Sequence, residues 1–145
     1  TNELRQPGAL TVCGEPLDLG RITCPVFIYG SREDHIVPWQ AAYLSTEVLT
    51  GNKANTFVLG ASGHIAGVIN PASKNKRSHW VNSKLPKTAD EWFKSATEKP
   101  GSWWPEWSGW LGRQGGKQVA APKAYGSRKY KAIEAAPGRF VKQKA

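Results

Sequence analysis

The stretch TFVLGASGHIAGVI, residues 56–69, decides the fold because an apolar strand opens there into a glycine-rich loop. Residues 56–60 predict a short buried strand, and the loop that follows presents His64. The motif resembles the Gly-x-Ser-x-Gly turn of serine nucleophiles, but its second glycine comes one position early. If Ser62 were the nucleophile, His64 would stand where that sharp turn needs a small residue. The motif therefore favours His64, rather than Ser62, as the residue that carries chemistry.

A second strand is predicted upstream, in CPVFIYG at residues 24–30. Its β-branched and aromatic residues are typical of a sheet interior. The loop SREDHIVP follows, and WQAAYLSTEVL then predicts a helix, with Pro38 at its start and Gly51 beyond its end. Strand, helix and strand in this order predict a parallel, right-handed βαβ unit, and hence an α/β fold.

An acid and a histidine follow the two predicted strands at equal distances. Asp34 comes four residues after the first strand and His64 four residues after the second. Because the carboxyl ends of parallel strands meet at one edge of a sheet, we expect these side chains on neighbouring loops. The alternatives are that Asp34 caps the helix near Pro38 and that His64 is a structural, hydrogen-bonding histidine. In α/β-hydrolases the chain order is nucleophile, acid, histidine, so a segment lying after the nucleophile would look like this one.

Other ionisable residues near the predicted site are weaker candidates. Glu33 competes with Asp34 as the acid, and Arg32 and His35 flank the same loop. His79 is expected to have a surface or packing role. A metal site would have to combine Asp34, His35, His64 and His79, a set with no recognised ligand spacing, so neither a metal nor a cofactor is expected. Cys13 and Cys24 match no zinc spacing and do not lie in a Gly-x-Cys-x-Gly arrangement, so we expect them to be buried or incidental thiols.

The remaining segments predict packing elements and a tail. TADEWFKSAT predicts a helix with a threonine N-cap, and the stretch before it, residues 72–86, is polar. The tryptophan-rich GSWWPEWSGWLGRQGG is expected to pack as a helix against the sheet edge, with contact to lipid or polymer as the alternative.

The positive charge of +9 is concentrated at the carboxyl end of the chain. Residues 113–145 hold nine Lys or Arg against one acid, and residues 1–112 hold eleven against ten. We therefore predict a nearly neutral domain at 1–112 and a basic Gly/Pro/Ala-rich tail at 113–145. A solvated tail is a more frequent explanation of such charge than phosphate binding. The apolar runs are too short to cross a bilayer, which takes about 18 residues, and the absence of methionine leads us to expect a piece of a longer protein.

Five motifs in order resemble one family: YGSREDHIVPW, LGASGHIAGVINP, KNKRSHW, GSWWPEW and APGRFVK. They are similar to the carboxyl-terminal part of class I polyhydroxyalkanoate synthases, and the resemblance covers nearly the whole chain. It implies the carboxyl-terminal portion of an α/β-hydrolase-like fold, with parallel strands and flanking helices and with the nucleophile half missing. It also implies Asp34 and His64 as catalytic residues beside a cysteine that this chain lacks, so that the chain alone should be inactive.

The resemblance also implies an activity, a location and partners. These synthases are acyltransferases that polymerise (R)-3-hydroxyacyl-CoA into polyester at cytoplasmic granules, and the CoA thioester is a substrate rather than a cofactor. The GSWWPEW motif favours short acyl groups such as 3-hydroxybutyryl, and the full-length enzyme is expected to form a homodimer. Alternatives are another α/β-hydrolase, such as an esterase or polyester depolymerase, or a module that binds a granule or partner. Nucleic acid is not an expected partner.

Overall fold

Pairing between the two strands predicted around residues 24–30 and 56–60 organises the fold. The computed structural model describes residues 2–144. Its strands are β1 (Thr11–Val12), β2 (Glu15–Pro16), β3 (Phe27–Ser31), β4 (Thr56–Gly60), β5 (Ser78–Val81) and β6 (Thr97–Pro100). Its helices are α1 (Trp39–Tyr43), α2 (Ser45–Val48), α3 (His64–Val68), α4 (Ala89–Ser95) and α5 (Trp104–Gln114), with 3₁₀ turns at Glu3–Arg5, Leu19–Arg21 and Phe140–Lys142.

Strands β3 and β4 are parallel, in a register that runs from Phe27 opposite Thr56 to Ser31 opposite Gly60. The predicted parallel pair is therefore confirmed, and both strands end at the same edge of the sheet. Helix α1 lies on the connection between them and packs against β3. Because the strands end level, the loops that follow them start side by side.

The predicted single helix after Pro38 is wrong, since the segment forms the two short helices α1 and α2. The hydrogen bonds at the junction explain the break. The Thr46 hydroxyl donates to the Tyr43 carbonyl, while the Glu47 N–H bonds the Leu44 carbonyl instead of the one four residues back. A threonine side chain that competes for a helix carbonyl interrupts the regular ladder in this way.

The expectation of parallel strands alone is also wrong, because the sheet is mixed. The described residues form a four-stranded sheet in the order β3-β4-β5-β6, with β5 antiparallel to both β4 and β6. Strand β5 lies in the polar stretch 72–86, where no strand was predicted, and only its two middle residues, His79 and Trp80, are buried. Every residue of β6 is exposed. Charged side chains suit an edge strand, because they discourage pairing with other chains, and this polarity concealed the strand in the sequence.

One face of the sheet is covered by an aromatic core. Trp92 is fully buried and meets Phe57 edge to face, with ring centroids 4.8 Å apart, and Tyr43 meets Phe57 in the same way at 5.0 Å. Burial of such a side chain contributes about 1.5–3 kcal/mol to stability. The predicted helix after Thr88 is confirmed as α4, and Thr88 and Glu91 cap it reciprocally through a capping box.

Helix α5 packs on the edge strand β3 through tryptophan rings, as predicted. Trp103, directly before the helix, stacks on Tyr29 with ring centroids 4.2 Å apart, and Trp110 meets Phe27 edge to face at 5.6 Å. Trp107 remains 41% exposed. The tryptophan-rich segment is therefore mainly a packing element.

The chain divides into two compact units, one that ends at Gln114 and one that begins at Gly115. The second unit holds a bridge between Gly126 and Lys131 and an ion pair between Glu134 and Arg139. The division into 1–112 and 113–145 stays a prediction of domain organisation. No helix within residues 2–144 is long and apolar enough to cross a membrane.

Candidate active site

The loops that follow β3 and β4 are joined by backbone hydrogen bonds. The Arg32 N–H donates to the Gly60 carbonyl at 2.8 Å, and the Glu33 N–H donates to the Ser62 carbonyl at 3.0 Å. These bonds carry the parallel ladder beyond the last residues of the strands. Ser62 adopts φ 81°, a left-handed conformation that is uncommon for a residue other than glycine. The backbone bend at Ser62 thus brings the chain back toward the Asp34 loop.

Asp34 uses its two carboxylate oxygens for different contacts. Oδ1 accepts the N–H groups of Ile36 and Val37, both at 2.9 Å, which folds the loop into a tight turn before α1. Oδ2 lies 2.8 Å from Nδ1 of His64. The turn-forming and histidine-binding roles of Asp34 are therefore compatible, because each occupies one oxygen.

Hydrogen bonds to the ionised carboxylate lower the pKa of Asp34 below its ordinary value of 3.8. The Val37 N–H makes the largest contribution to this shift, and the His64 side chain and the Ile36 N–H add to it, while desolvation opposes it. Asp34 is therefore a carboxylate at neutral pH, and a weaker proton acceptor than an ordinary aspartate.

His64 is the first residue of helix α3, rather than the tip of a loop as the glycine-rich motif predicted. Its side chain is 46% exposed, whereas that of Asp34 is only 9% exposed. Because Nδ1 faces a carboxylate, we assign the ring proton to Nδ1, which leaves the lone pair of Nε2 free to accept a proton. The geometry therefore presents a base whose partner carboxylate is shielded.

A cavity of about 410 Å³ lies beside this pair, along the outer edge of β3. Asp34 and His64 line it together with apolar side chains and with Tyr29 and Ser31, whose hydroxyl oxygens are 3.0 Å apart. The rim is apolar as well, since Ile65 and Ile69, which line the cavity, are 73% and 61% exposed. A polar pair in an apolar cleft is an arrangement suited to binding a small molecule or an acyl chain.

The other sequence candidates lie apart from the pair or act in packing. The Arg32 guanidinium lies over the rings of Trp80 and Phe93, 4.9 and 5.1 Å from their centroids. His79 is buried, with Nδ1 3.1 Å from the Gly101 carbonyl oxygen, in agreement with a packing role. Cys13 and Cys24 are free and exposed. In the described chain no group of three or more His, Cys, Asp or Glu side chains could hold a metal ion.

Sequence reasoning missed several residues at or behind this site. Tyr29 and Ser31 line the cavity, and alternation along β3 would have placed them on one face with Phe27. Arg77, Trp103 and Trp104 donate side-chain hydrogen bonds to the backbone of α3. No spacing rule relates these three residues to His64, because they come from distant segments of the chain.

The fold and the pair together define an α/β protein with an acid–histidine pair at the carboxyl ends of adjacent parallel strands. Poly(3-hydroxyalkanoate) polymerase subunit PhaC of Cupriavidus necator is 62% identical to this chain over 144 residues, which are 99% of the chain and 24% of that protein. Poly(3-hydroxyalkanoate) polymerase 1 of Ectopseudomonas oleovorans is 39% identical over 144 residues, 99% of the chain and 25% of that protein. Subunit PhaC of Rhizobium meliloti is 37% identical over 138 residues, 95% of the chain and 22% of that protein.

The chain belongs to the poly(3-hydroxyalkanoate) polymerase family, and it spans about a quarter of the length of these curated relatives. No family model matches the chain. The relatives carry the name of an enzyme, a polymerase, so the expected resemblance is confirmed at the level of the family.

Proposed function

We propose that this chain is the carboxyl-terminal part of a polyhydroxyalkanoate synthase and supplies the acid and the base of its active site. The observation that carries the proposal is the 2.8 Å contact between Asp34 Oδ2 and His64 Nδ1 in a chain so similar to named polymerases. The parallel β3–β4 unit, with the acid after one strand and the histidine after the next, supports an α/β-hydrolase-like fold for the whole enzyme.

The first half of the proposed reaction forms an acyl-enzyme. A cysteine from the rest of the longer protein gives its thiol proton to His64 Nε2, and the thiolate attacks the carbonyl carbon of the acyl-CoA thioester. The bond from the acyl carbon to the CoA sulfur breaks as the new thioester forms. CoA leaves with the proton that His64 returns. On this proposal the chain by itself is inactive, because the nucleophile lies outside it.

The second half lengthens the polyester. His64 Nε2 accepts the proton of the 3-hydroxyl of another acyl unit, whose oxygen then attacks the enzyme-bound thioester. An ester bond forms as the bond from the acyl carbon to the cysteine sulfur breaks, and His64 returns the proton to the departing thiolate. We assign Asp34 the role of orienting His64 rather than that of a separate base. Its lowered pKa makes it a poor proton acceptor, and both of its oxygens already have hydrogen-bond partners.

The substrate in this proposal is (R)-3-hydroxyacyl-CoA, with 3-hydroxybutyryl-CoA as the representative. The apolar cavity beside His64 supports an acyl chain as its occupant. We propose further that the full-length enzyme is an acyltransferase without a bound cofactor or metal, and that it acts as a homodimer at the surface of cytoplasmic polyester granules.

The test separates acylation from elongation in the full-length polymerase. Rapid-quench measurement of the first CoA released reports acylation, and steady CoA release with polymer yield reports elongation. His64→Ala should abolish both steps. Asp34→Asn should slow both by a similar factor, because a misoriented His64 serves neither step. Glu33→Gln, in the same loop but outside the pair, is the matched control and should keep near-normal rates.

Three outcomes would contradict this assignment. Normal acylation with blocked elongation in Asp34→Asn would make Asp34 a base for elongation alone. Full activity in His64→Ala would remove the proposed catalytic pair altogether. Release of free 3-hydroxy acid instead of polymer by the unaltered enzyme would indicate an esterase or depolymerase.

A further inference from the structure

Helix α3 is too short to be stable without help from the rest of the protein. It has five residues, and isolated helices shorter than about 12–15 residues are marginal in water. The last carbonyls of a helix also lack partners within it and need donors from outside. Because His64 is the first residue of α3, whatever holds this helix also holds the imidazole against Asp34.

Three successive carbonyls at the end of α3 accept hydrogen bonds from side chains. Arg77 Nη1 donates to the Ala66 carbonyl at 2.6 Å. Trp103 Nε1 donates to the Gly67 carbonyl at 3.1 Å, and Trp104 Nε1 donates to the Val68 carbonyl at 2.9 Å. We refer to Arg77, Trp103 and Trp104 as the carbonyl clamp.

The clamp residues are themselves held in place. Trp103 is 8% exposed and stacks on Tyr29 of β3. Arg77 adopts φ 72°, and its carbonyl accepts the Gly101 N–H at 2.6 Å, which ties its segment to the one that carries the tryptophans. Ser102 adds a further link, since its hydroxyl donates to the Asn70 carbonyl just after α3. Trp103 and the Arg77 segment are therefore held by contacts outside α3. Their hydrogen bonds can fix the position of the helix for that reason.

We propose that the carbonyl clamp positions His64 for catalysis by fixing the far end of α3. The proposal rests on the proposed function, in which His64 is the base. A five-residue helix is about 7.5 Å long, so its two ends move together. A displacement of about 1 Å would break a 2.8 Å contact, and misplacement of a catalytic group by that distance can lower the rate about a hundredfold. Arg77, Trp103 and Trp104 are positioning residues, because they act through His64.

The test uses the full-length polymerase and a matched pair of tryptophan variants. Trp104→Phe removes the indole N–H that bonds Val68 and keeps an aromatic ring. Trp110→Phe removes an indole N–H from the same helix at a residue that packs on Phe27. Loss of one clamp hydrogen bond should lower kcat about three- to tenfold with KM unchanged. Trp110→Phe should leave kcat within about twofold of the unaltered enzyme.

A double-mutant cycle shows whether the clamp acts through the acid–histidine pair. Once Asp34→Asn has disordered His64, adding Trp104→Phe should change the residual kcat less than about twofold, because coupled residues are not additive. An equal fold-loss in both backgrounds would overturn the positioning role, as would an unchanged kcat in Trp104→Phe alone. If Asp34→Asn itself leaves kcat intact, the proposed function fails instead, so the two failures are distinguishable.

Arg77 gives a second route if Trp104→Phe does not fold. Arg77→Lys keeps a side-chain N–H donor able to reach the Ala66 carbonyl. Arg77→Met removes this donor and keeps a side chain of similar length to lysine. We expect kcat to fall in Arg77→Met and to be largely restored in Arg77→Lys, at equal thermal midpoints. Equal kcat in these two variants would overturn the proposal.

Discussion

Substitution of Gly67 by alanine should displace α3 and thereby separate His64 from Asp34. Gly67 faces β3, and a Cβ atom built there would overlap the Ser31 hydroxyl oxygen. It would also lie 3.0 Å from the Tyr29 hydroxyl oxygen and 3.1 Å from the Ala61 carbonyl oxygen. Ordinary contacts between non-bonded atoms are about 3.5–4.0 Å, so something must shift. We expect the helix to move outward, because the Tyr29 and Ser31 hydroxyl groups are hydrogen-bonded to each other and the Ala61 carbonyl belongs to the backbone.

Two opposing contributions set the size of the effect. Forcing an extra methyl group into a packed site costs about 1–3 kcal/mol. Replacing a helical glycine by alanine returns about 0.5–1 kcal/mol through backbone entropy. The net destabilisation is therefore between about 0 and 2.5 kcal/mol, with a midpoint of about 1 kcal/mol. The loss of activity should be larger than this loss of folding stability alone would cause, because the substitution displaces the helix that carries His64.

The assay compares thermal midpoints and initial CoA release for the full-length polymerase and its variants. Gly112→Ala is the matched control, since it lies in α5 and a Cβ there meets no atom of the described chain within 4 Å. It should be neutral or slightly stabilising. Ser31→Ala removes the overlapping oxygen and should restore part of the loss when combined with Gly67→Ala. Normal stability and activity in Gly67→Ala would refute the argument that close packing of α3 on β3 places His64.

Two further predictions concern the N-cap of α4 and the buried tyrosine of α1. Thr88→Ala removes the hydroxyl that accepts the Glu91 N–H and should cost about 1 kcal/mol of stability, while Thr88→Ser should keep most of it; equal thermal midpoints for the two variants would contradict the capping role. Burial, with a smaller contribution from the charge of Glu91, raises the pKa of Tyr43 from 10.0 to about 12. Since the folded-state pKa is raised, the stability that Tyr43 contributes is intact below pH 10 and is lost as the pH rises through about 12. Between pH 10 and about 12, the free energy of unfolding should therefore fall less in Tyr43→Phe than in the unaltered protein. Alkaline unfolding measurements in which both proteins lose the same free energy over this interval would contradict this prediction.

The positions of Asp34 and His64 were predictable because two short-range rules act together. Apolar runs with β-branched and aromatic residues mark the strands, and the level carboxyl ends of parallel strands bring the following loops together. The 2.8 Å contact between the two side chains agrees with that prediction of proximity. Their catalytic role stays a proposal.

The antiparallel half of the sheet was not predictable from local pattern. Strand β5 buries only two residues and β6 buries none, so neither shows the apolar run or the alternation that marks a strand. Their pairing is established by contacts with β4 and with each other, which no local window contains. The break between α1 and α2 was missed for a related reason, since it depends on the rotamer of one threonine hydroxyl.

The sequence by itself determined the βαβ unit, the loops that carry the acid and the histidine, and the family. The first two features depend on residue type and on spacing along at most about 30 positions, where steric preferences and strand geometry act directly. The family follows from five motifs spread over nearly the whole chain. Only the tertiary structure decided how α3 is held. The Trp104 side chain bonds a carbonyl 36 residues away, and Arg77 bonds one 11 residues away. Such bonds form only after the sheet has brought distant segments together, because a backbone carbonyl accepts a donor wherever the fold places one and leaves no mark in the sequence.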